Sequence, residues 1–286
     1  MAPYLLIDNS NSFTKFAVSV GDQLSPVSSL PTRGLSADAL RDLVSDWTFS
    51  SVVVCSVVPQ TAALLVQTFA HLPLLQVSSS IDLGIGIDYP APESIGADRL
   101  ANAVAALALF QTPTVVVDFG TALTFDILSR EGNYVGGVIA PGLEAMTNYL
   151  HERTALLPKI TLLEPPSVIG KSTEHAMLAG AVYGYRGLVR EILAEIRRTL
   201  PGAAEDLRVV ATGGYAELIA AGLPEISSVH PALTLEGLRL IAKRNFNPTT
   251  EVHAEARKRE EIQIPIKKGC SISNLRVSAP PRDDLL

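Results

Sequence analysis

Short apolar runs alternate along the chain with longer stretches in which apolar residues recur every three or four positions. Residues 4–8 (YLLID) read as a buried strand and 13–20 as its hairpin partner. SADALRDLVSDW at 36–47 has helical spacing, and SSVVVCSVV at 50–58 is a second apolar strand. TAALLVQTFA at 61–70 is helix-like, LPLLQV at 72–77 predicts a short strand, and YPAPESIGADRL leads into the helix LANAVAALALF. A second hairpin follows over 114–129, then a glycine-bearing segment at 132–142 that reads as turns. GLEAMTNYLHERTALL and TEHAMLAGAVYGYRGLVREILAEIRRTL are the clearest later helices. LRVVATGGYAELIAAGL reads as strand, glycine turn and helix, and LTLEGLRLIAKRN closes the pattern. Strands alternating with helices predict an α/β fold with a core sheet in each half.

The two hairpins resemble each other. LLIDNSNSFTKFAVS (5–19) and VVVDFGTALTFDILS (115–129) align at an offset of 110, which matches Asp8 to Asp118, Ser10 to Gly120, Ser12 to Ala122, Thr14 to Thr124 and Ser19 to Ser129. This predicts duplicated lobes, 1–112 and 113–246, gripping a ligand between them. Residues 247–286 differ: the segment is charged and then Pro-rich, IQIPI and SISNLRV read as short strands, and nothing in it suggests chemistry.

Composition narrows the function. Hydrophobic residues make up 47%, enough for a substantial core, while the formal net charge of −6 and the lack of a basic run argue against direct nucleic-acid binding. Cys55 and Cys270 are the two cysteines, too few for a disulfide framework or thiolate metal site, and Cys55 sits in a core-like run. LANAVAALALFQ is too short for a membrane span. With no signal-type N-terminus, a soluble cytoplasmic protein is expected.

Three turns and a helix start carry candidate chemistry. In DNSNS (8–12), small residues permit close approach and successive backbone N–H groups suit anionic oxygens. Asp8 itself repels phosphate and suits a metal's water shell, and Lys15 can meet phosphate directly. An ordinary Asx turn explains this loop alone, but its repetition as DFGTALT (118–124) favours ligand binding. Thr121 and Thr124 offer hydroxyls, and Gly120 permits dihedrals that other residues avoid. ATGGYAEL (211–218) is a glycine turn between strand and helix, without the spacing of a dinucleotide fingerprint. SVIGKST (167–173) ends like a P-loop but has Pro165 where the first glycine belongs, so that reading fails. Thr173 is left as a hydrogen-bond donor or helix N-cap. GADRL (96–100) is the sharpest catalytic candidate. Asp98 lies at a helix start, where the dipole favours its charged form, and can accept an alcohol's proton during phosphoryl transfer. Arg99 suits a carboxylate or amide carbonyl. The alternative is a first-turn acid stabilising the helix beside a solvated Arg99.

Taken together, these motifs resemble the type III pantothenate kinases of the acetate kinase/sugar kinase/Hsp70/actin superfamily. DNSNSFTK resembles the family's DxGNTxxK, with Asp8, Asn11 and Lys15 matching, Ser12 for Thr, and Ser10 where the family has Gly. SVVP (56–59), Tyr89 with Pro92 and GADR (96–99), DFGTALT, GGVIAPG (136–142), IGKST (169–173) and ATGG follow in family order. The likeness covers about residues 4–245. It implies two duplicated ribonuclease-H-like lobes with ATP in the cleft. Nucleotide would meet Asp8, Asn9, Ser10, Asn11, Ser12, Phe13, Thr14 and Lys15 in one lobe, and Thr121, Gly213 and Gly214 in the other. Tyr89, Gly96, Ala97, Asp98, Arg99 and Thr173 would bind pantothenate, partly across a homodimer interface, with Asp98 as general base. Asp118 would hold a monovalent cation, K⁺ or NH₄⁺, while Mg²⁺ accompanies ATP. The product would be 4′-phosphopantothenate, the first step toward coenzyme A. If residue 10 takes a positive φ, Ser costs roughly 1 kcal/mol there relative to Gly. A weakly active or inactive relative with an accessory, regulatory binding role is the alternative, as is a kinase of another small hydroxy acid.

Overall fold

The computed structural model describes residues 3–246. In chain order the first part contains β1 (Tyr4–Asn9), β2 (Phe13–Val20), β3 (Gln23–Leu24), β4 (Ser28–Pro31), α1 (Ala37–Val44), β5 (Ser51–Ser56), α2 (Pro59–Thr68) and β6 (Leu74–Gln76). Then come β7 (Gly86–Ile87), a 3₁₀ turn at Pro92–Ser94, α3 (Ala97–Leu109), β8 (Thr114–Phe119), β9 (Ala122–Leu128) and β10 (Asn133–Pro141). The last elements are α4 (Leu143–Arg153), α5 (Thr173–Thr199), α6 (Ala203–Asp206), β11 (Arg208–Thr212), α7 (Ala216–Ala220), β12 (Ser228–Val229) and α8 (Leu233–Phe246).

Two sheets repeat one topology. In the first, β1 pairs antiparallel with β2 and parallel with β5, which carries β6; the path is β3-β2-β1-β5-β6, with β4 also on β2. In the second, β8 pairs antiparallel with β9 and parallel with β11, which carries β12; the path is β12-β11-β8-β9-β10-β7. Central strands covered on both faces need continuous apolar sequence, and YLLIDN and TVVVDF supply it. Helices α1 and α2 cover the outer face of the first sheet over Leu5, Ile7, Phe16, Val52 and Val54. Ser36 caps α1 by accepting the Ala39 N–H, and Pro59 opens α2, where its missing N–H costs nothing. Helices α5 and α7 cover the outer face of the second sheet over Val115, Val117, Phe125 and Val209. The inner faces meet on α3 and α8. One cluster there unites Leu6 and Val53 of the first sheet with Val116, Leu128 and Val210 of the second. The helices touch backbone to backbone, since a Cβ on Gly237 would lie 2.0 Å from the Ala101 carbonyl oxygen. No described helix is long and apolar enough to cross a membrane.

Four local expectations change. Residues 132–142 form a strand rather than turns: β10 runs along β9 with one irregularity between Tyr134 and Gly136. Ser172, not Thr173, caps α5 by accepting the His175 N–H. The helix expected over 36–47 stops at Val44. The offset of 110 between hairpins holds only as far as the turns. Asp8 pairs with Lys15, but Asp118 pairs with Thr124. The second turn is one residue tighter, so beyond it the offset is 109 and Phe16 corresponds to Phe125. Burial agrees, since β2 and β9 share the same alternation at that offset. Cys55 is fully buried, as its apolar run implied. Cys270 and the strands expected at IQIPI and SISNLRV lie outside the described residues.

Candidate active site

The ends of β1 and β8 and the start of α3 bring three carboxylates into one cleft. Asp8 faces Lys15 across the first hairpin and accepts a 3.3 Å hydrogen bond from Ser10 Oγ. The loop is fixed from beneath. Asn9 is buried, donates to Thr14 Oγ1 at 2.7 Å and accepts from Ser56 Oγ at 2.6 Å. Thr32 donates its hydroxyl to the Ser10 carbonyl at 2.6 Å and its N–H to the Ser12 carbonyl at 3.0 Å, and its hydroxyl also meets that of Thr14 at 2.9 Å. Asn11, Ser12 and Phe13 are exposed above this platform. Thr32 was not singled out in the sequence, because its partners lie about twenty residues away.

In the second hairpin Asp118 packs against the glycine turn of ATGG. A Cβ on Gly213 would lie 2.5 Å from Asp118 Oδ1, and φ of +95° there suits only glycine. Gly214 opens onto free space. Gly120, in contrast, lies outside the left-handed region, and a Cβ there would meet Asp118 Oδ1 at 3.4 Å, so its conformational freedom is not used. On the α3 side, Asn102 donates to Asp118 Oδ2 at 3.4 Å and accepts from Thr234 of α8 at 2.8 Å. The loops touch each other: the hydroxyls of Ser12 and Thr121 are 2.9 Å apart.

Asp98 is the second residue of α3. Its carboxylate turns back over the helix start, where Oδ1 accepts the Arg99 N–H at 2.8 Å. Glycine at 96 makes room, because a Cβ would stand 2.6 Å from that oxygen. The neighbouring Ala97 is buried in the core between the lobes. Burial pushes the Asp98 carboxyl above its ordinary range, overcoming the backbone N–H and Arg99, which act the other way. The helix start thus favours the charged form through that N–H, as expected, and burial opposes it more strongly. Burial also raises Asp8 to about 7; Lys15 pulls it back, and Asp98 and Asp118 push it further up. Asp118 rises to about 6 through burial and then Asp98, opposed by Lys15 and Asn102.

Arg99 is not solvated. Its Nε donates to Asp126 Oδ1 at 2.6 Å and Nη2 to the Phe125 carbonyl at 3.3 Å. Tyr134 donates its hydroxyl to Asp126 at 3.3 Å, and the Tyr89 ring packs edge-on against Tyr134 with centroids 6.2 Å apart. Tyr89 and Arg99 thus both pack on the Tyr134 ring. Asp126 was missed in the sequence, although an aspartate amid the apolar alternation of β9 is itself a signal.

Thr173 lines a different surface feature. It is exposed at the first turn of α5 and lines an apolar groove of about 760 Å³ with Leu143, Met146, Tyr149, Leu150 and Met177, whereas Tyr89, Asp98 and Arg99 are absent from its lining. Among the described residues no group of three His, Cys, Asp or Glu side chains could hold a metal ion by itself.

Two duplicated α/β lobes with a carboxylate-bearing hairpin at the cleft edge of each define the nucleotide-binding fold of sugar kinases and actin. Solved structures agree on this fold. A Sinorhizobium meliloti protein named for 2-dehydro-3-deoxygalactonokinase superposes with a TM-score of 0.54 at 13% identity, over 85% of this chain and 99% of its own. A Campylobacter jejuni protein named for the Baf family of transcriptional activators gives 0.54 at 18% identity over the same shares. The family model for type III pantothenate kinase matches residues 4–195. The type III pantothenate kinase of Akkermansia muciniphila is 51% identical over 244 residues, 85% of this chain and 99% of that one. That of Methylacidiphilum infernorum is 43% identical over 239 residues, 84% and 88% respectively. The chain belongs to the type III pantothenate kinase family.

Proposed function

We propose that the protein transfers the γ-phosphoryl group of ATP to the primary hydroxyl of pantothenate, giving 4′-phosphopantothenate, the first step of coenzyme A biosynthesis. The observation that carries this reading is Asp98. It is a carboxylate held at a helix start between two facing hairpin loops, with Arg99 beside it.

The chemistry follows from the arrangement. Loops 8–15 and 118–124, with Gly213 and Gly214, line the nucleotide cleft with backbone and small hydroxyls, and Lys15 and Thr121 meet phosphate oxygens. Arg99 and Tyr89 hold the acceptor so that its hydroxyl faces Asp98. Asp98 hydrogen-bonds that hydroxyl and takes its proton as the bond to phosphorus forms. A carboxyl raised by burial is better matched to a neutral-pH proton transfer than an ordinary aspartate. In-line positioning supplies most of the rest.

Asp8, Asp98 and Asp118 with one lysine leave the cleft negative before any triphosphate enters. Cations are the natural partners. Mg²⁺ fits Asp8 through its water shell and neutralises phosphate charge when bound. A monovalent cation, K⁺ or NH₄⁺, fits Asp118, whose half-buried carboxylate has, among the described residues, Asn102 alone as a side-chain hydrogen-bond donor. Since the described residues offer no three carboxylate, imidazole or thiolate ligands in one place, either ion would draw further ligands from backbone, water or nucleotide.

A cytoplasmic homodimer completes the reading. Thr173 lines the apolar α4–α5 groove, whose lining does not include Tyr89 or Arg99, and its contact with pantothenate is assigned to a second copy. Light scattering that gives a monomer with full activity at micromolar concentration refutes that part. The central test is an ATP-consumption assay on purified protein with pantothenate, Mg²⁺ and K⁺, the product identified by mass. No phosphorylated pantothenate under those conditions overturns the proposal.

A further inference from the structure

Asp126 has no role in the account above, yet it is an expensive residue to keep. It lies mid-strand in β9, between Val116 of β8 and Gly137 of β10, and is 0% exposed. One of its oxygens, Oδ2, has no hydrogen-bond partner among the described residues. A buried carboxylate with an orphaned oxygen lowers stability unless something else requires it.

The duplicated architecture provides an internal control. At the offset that relates the strands after the turns, Asp126 corresponds to Ala17. Leu6 pairs with Ala17 as Val116 pairs with Asp126, and both positions are fully buried. The fold is therefore served by a small apolar residue at this point. What differs is the neighbour: Ala17 packs in an apolar cluster, whereas Asp126 meets Arg99 of α3.

The surroundings of Asp126 fit that arginine. Nε and Nη2 of Arg99 are bonded to Asp126 and to the Phe125 carbonyl, while Nη1 makes no hydrogen bond to any described residue. The Arg99 side chain keeps 13% of its surface exposed. Gly137 clears the slot: a Cβ there would lie 2.2 Å from Nη2. Tyr134 places its ring under the guanidinium, 5.8 Å from centroid to Cζ, and its hydroxyl on the same Asp126 oxygen. A planar fork anchored along one edge presents its other edge in a fixed direction.

We propose that Asp126 is a positioning residue for the acceptor substrate: it holds Arg99 so that the unbonded edge of the guanidinium meets pantothenate. This rests on the reading that Arg99 binds pantothenate. The buried pair contributes specificity rather than stability, a known use of such pairs.

The test is steady-state kinetics on the full chain carrying Arg99→Ala, Asp126→Asn, both changes, or Tyr134→Phe, with a thermal melt for each. Asp126→Asn should raise the pantothenate KM about tenfold or more, with ATP KM within about twofold of the parent. In the double variant Asp126→Asn should add less than about twofold to Arg99→Ala, since the two act as one unit. Tyr134→Phe, which keeps the packing, should raise the pantothenate KM a few-fold and serves if Asp126→Asn fails to fold. If Arg99→Ala leaves the pantothenate KM unchanged, the underlying reading of Arg99 falls. If Arg99→Ala raises it while Asp126→Asn does not, or if the two effects multiply, the positioning role is overturned. Parallel rises in both KM values with a lowered Tm mark Asp126 as structural and also overturn it.

Discussion

The two hairpins at the cleft share a plan and differ by one residue. On the entering strands Asp8 and Asp118 are equivalent. On the leaving strands the tighter second turn sets Thr124 opposite its aspartate, where the first hairpin has Lys15. By that pairing Ser12 and Thr121 are counterparts, and they are the two residues that meet at 2.9 Å. The first loop thus brings its own cation and is held by Thr32. The second brings none, and leans on Asn102 and on the close backbone of Gly213. Duplication supplied two similar cradles that differ by one residue in turn length and by Lys15 against Thr124 in charge.

Asp98 belongs to neither hairpin, and removing it should do the most damage. Asp98→Asn should lower kcat by about 10²–10⁴ while leaving ATP KM near the parent value. If turnover survives, a hairpin carboxylate has taken over and the division of labour between loops and α3 is wrong.

Next in size is the split between the two aspartates. Asp118→Asn should raise ATP KM by about tenfold and weaken the dependence of rate on K⁺. Asp8→Asn should leave that dependence in place, because Lys15 already offsets Asp8. Initial rates in K⁺, Na⁺ and a bulky organic cation, at fixed Mg²⁺ and matched ionic strength, check both. Equal rates of the parent protein in all three salts would remove the cation from Asp118.

The charge of the cleft should also be visible as stability. Asp8 at about 7 and Asp118 at about 6 bind protons in the folded protein that an unfolded carboxylate has released near 3.8. Between those values the folded state holds more protons, so stability falls as pH rises from about 4 to about 7 and levels off above. Melting curves of the ligand-free protein should follow that course at these sites, and Asp8→Asn should flatten it. A parent Tm that rises across the window, with no flattening in Asp8→Asn, would contradict the buried acid cluster.

The smallest effect is expected at Ser10. Its counterpart Gly120 avoids the left-handed region and leaves room for a Cβ at 3.4 Å from Asp118, and Ser10 uses the same space to bond Asp8. Ser10→Gly should change ATP KM by less than about threefold and lower stability by roughly 0.5–1 kcal/mol through backbone entropy. A large gain in activity would mean that the serine obstructs the nucleotide after all.

Much of this was legible in the sequence, for physical reasons that also mark where it stopped. Apolar runs ending in aspartate predict buried strands leading to a polar cleft, and both hairpins follow. The slip was hidden because Thr14 and Thr124, and Ser19 and Ser129, match by chance at the wrong offset. Phe16 and Phe125 carried the true one. Glycines 136 and 137 suggested turns at 132–142, whereas in β10 Gly137 clears space for Arg99. Thr32 and Asp126 act on partners distant in the chain, and local pattern says nothing of such contacts.

The α3–α8 seam has a thermodynamic consequence. Leu6, Val53, Val116 and Val210 bury their side chains in one shared cluster, so neither sheet can lose its inner face without exposing the other's. The lobes should therefore melt together, in one calorimetric transition whose van't Hoff and calorimetric enthalpies agree. A chain severed between Gln111 and Thr112 should yield two pieces that are individually unfolded but regain activity when mixed. Two lobes that share one core in this way should gain and lose their structure as one cooperative unit.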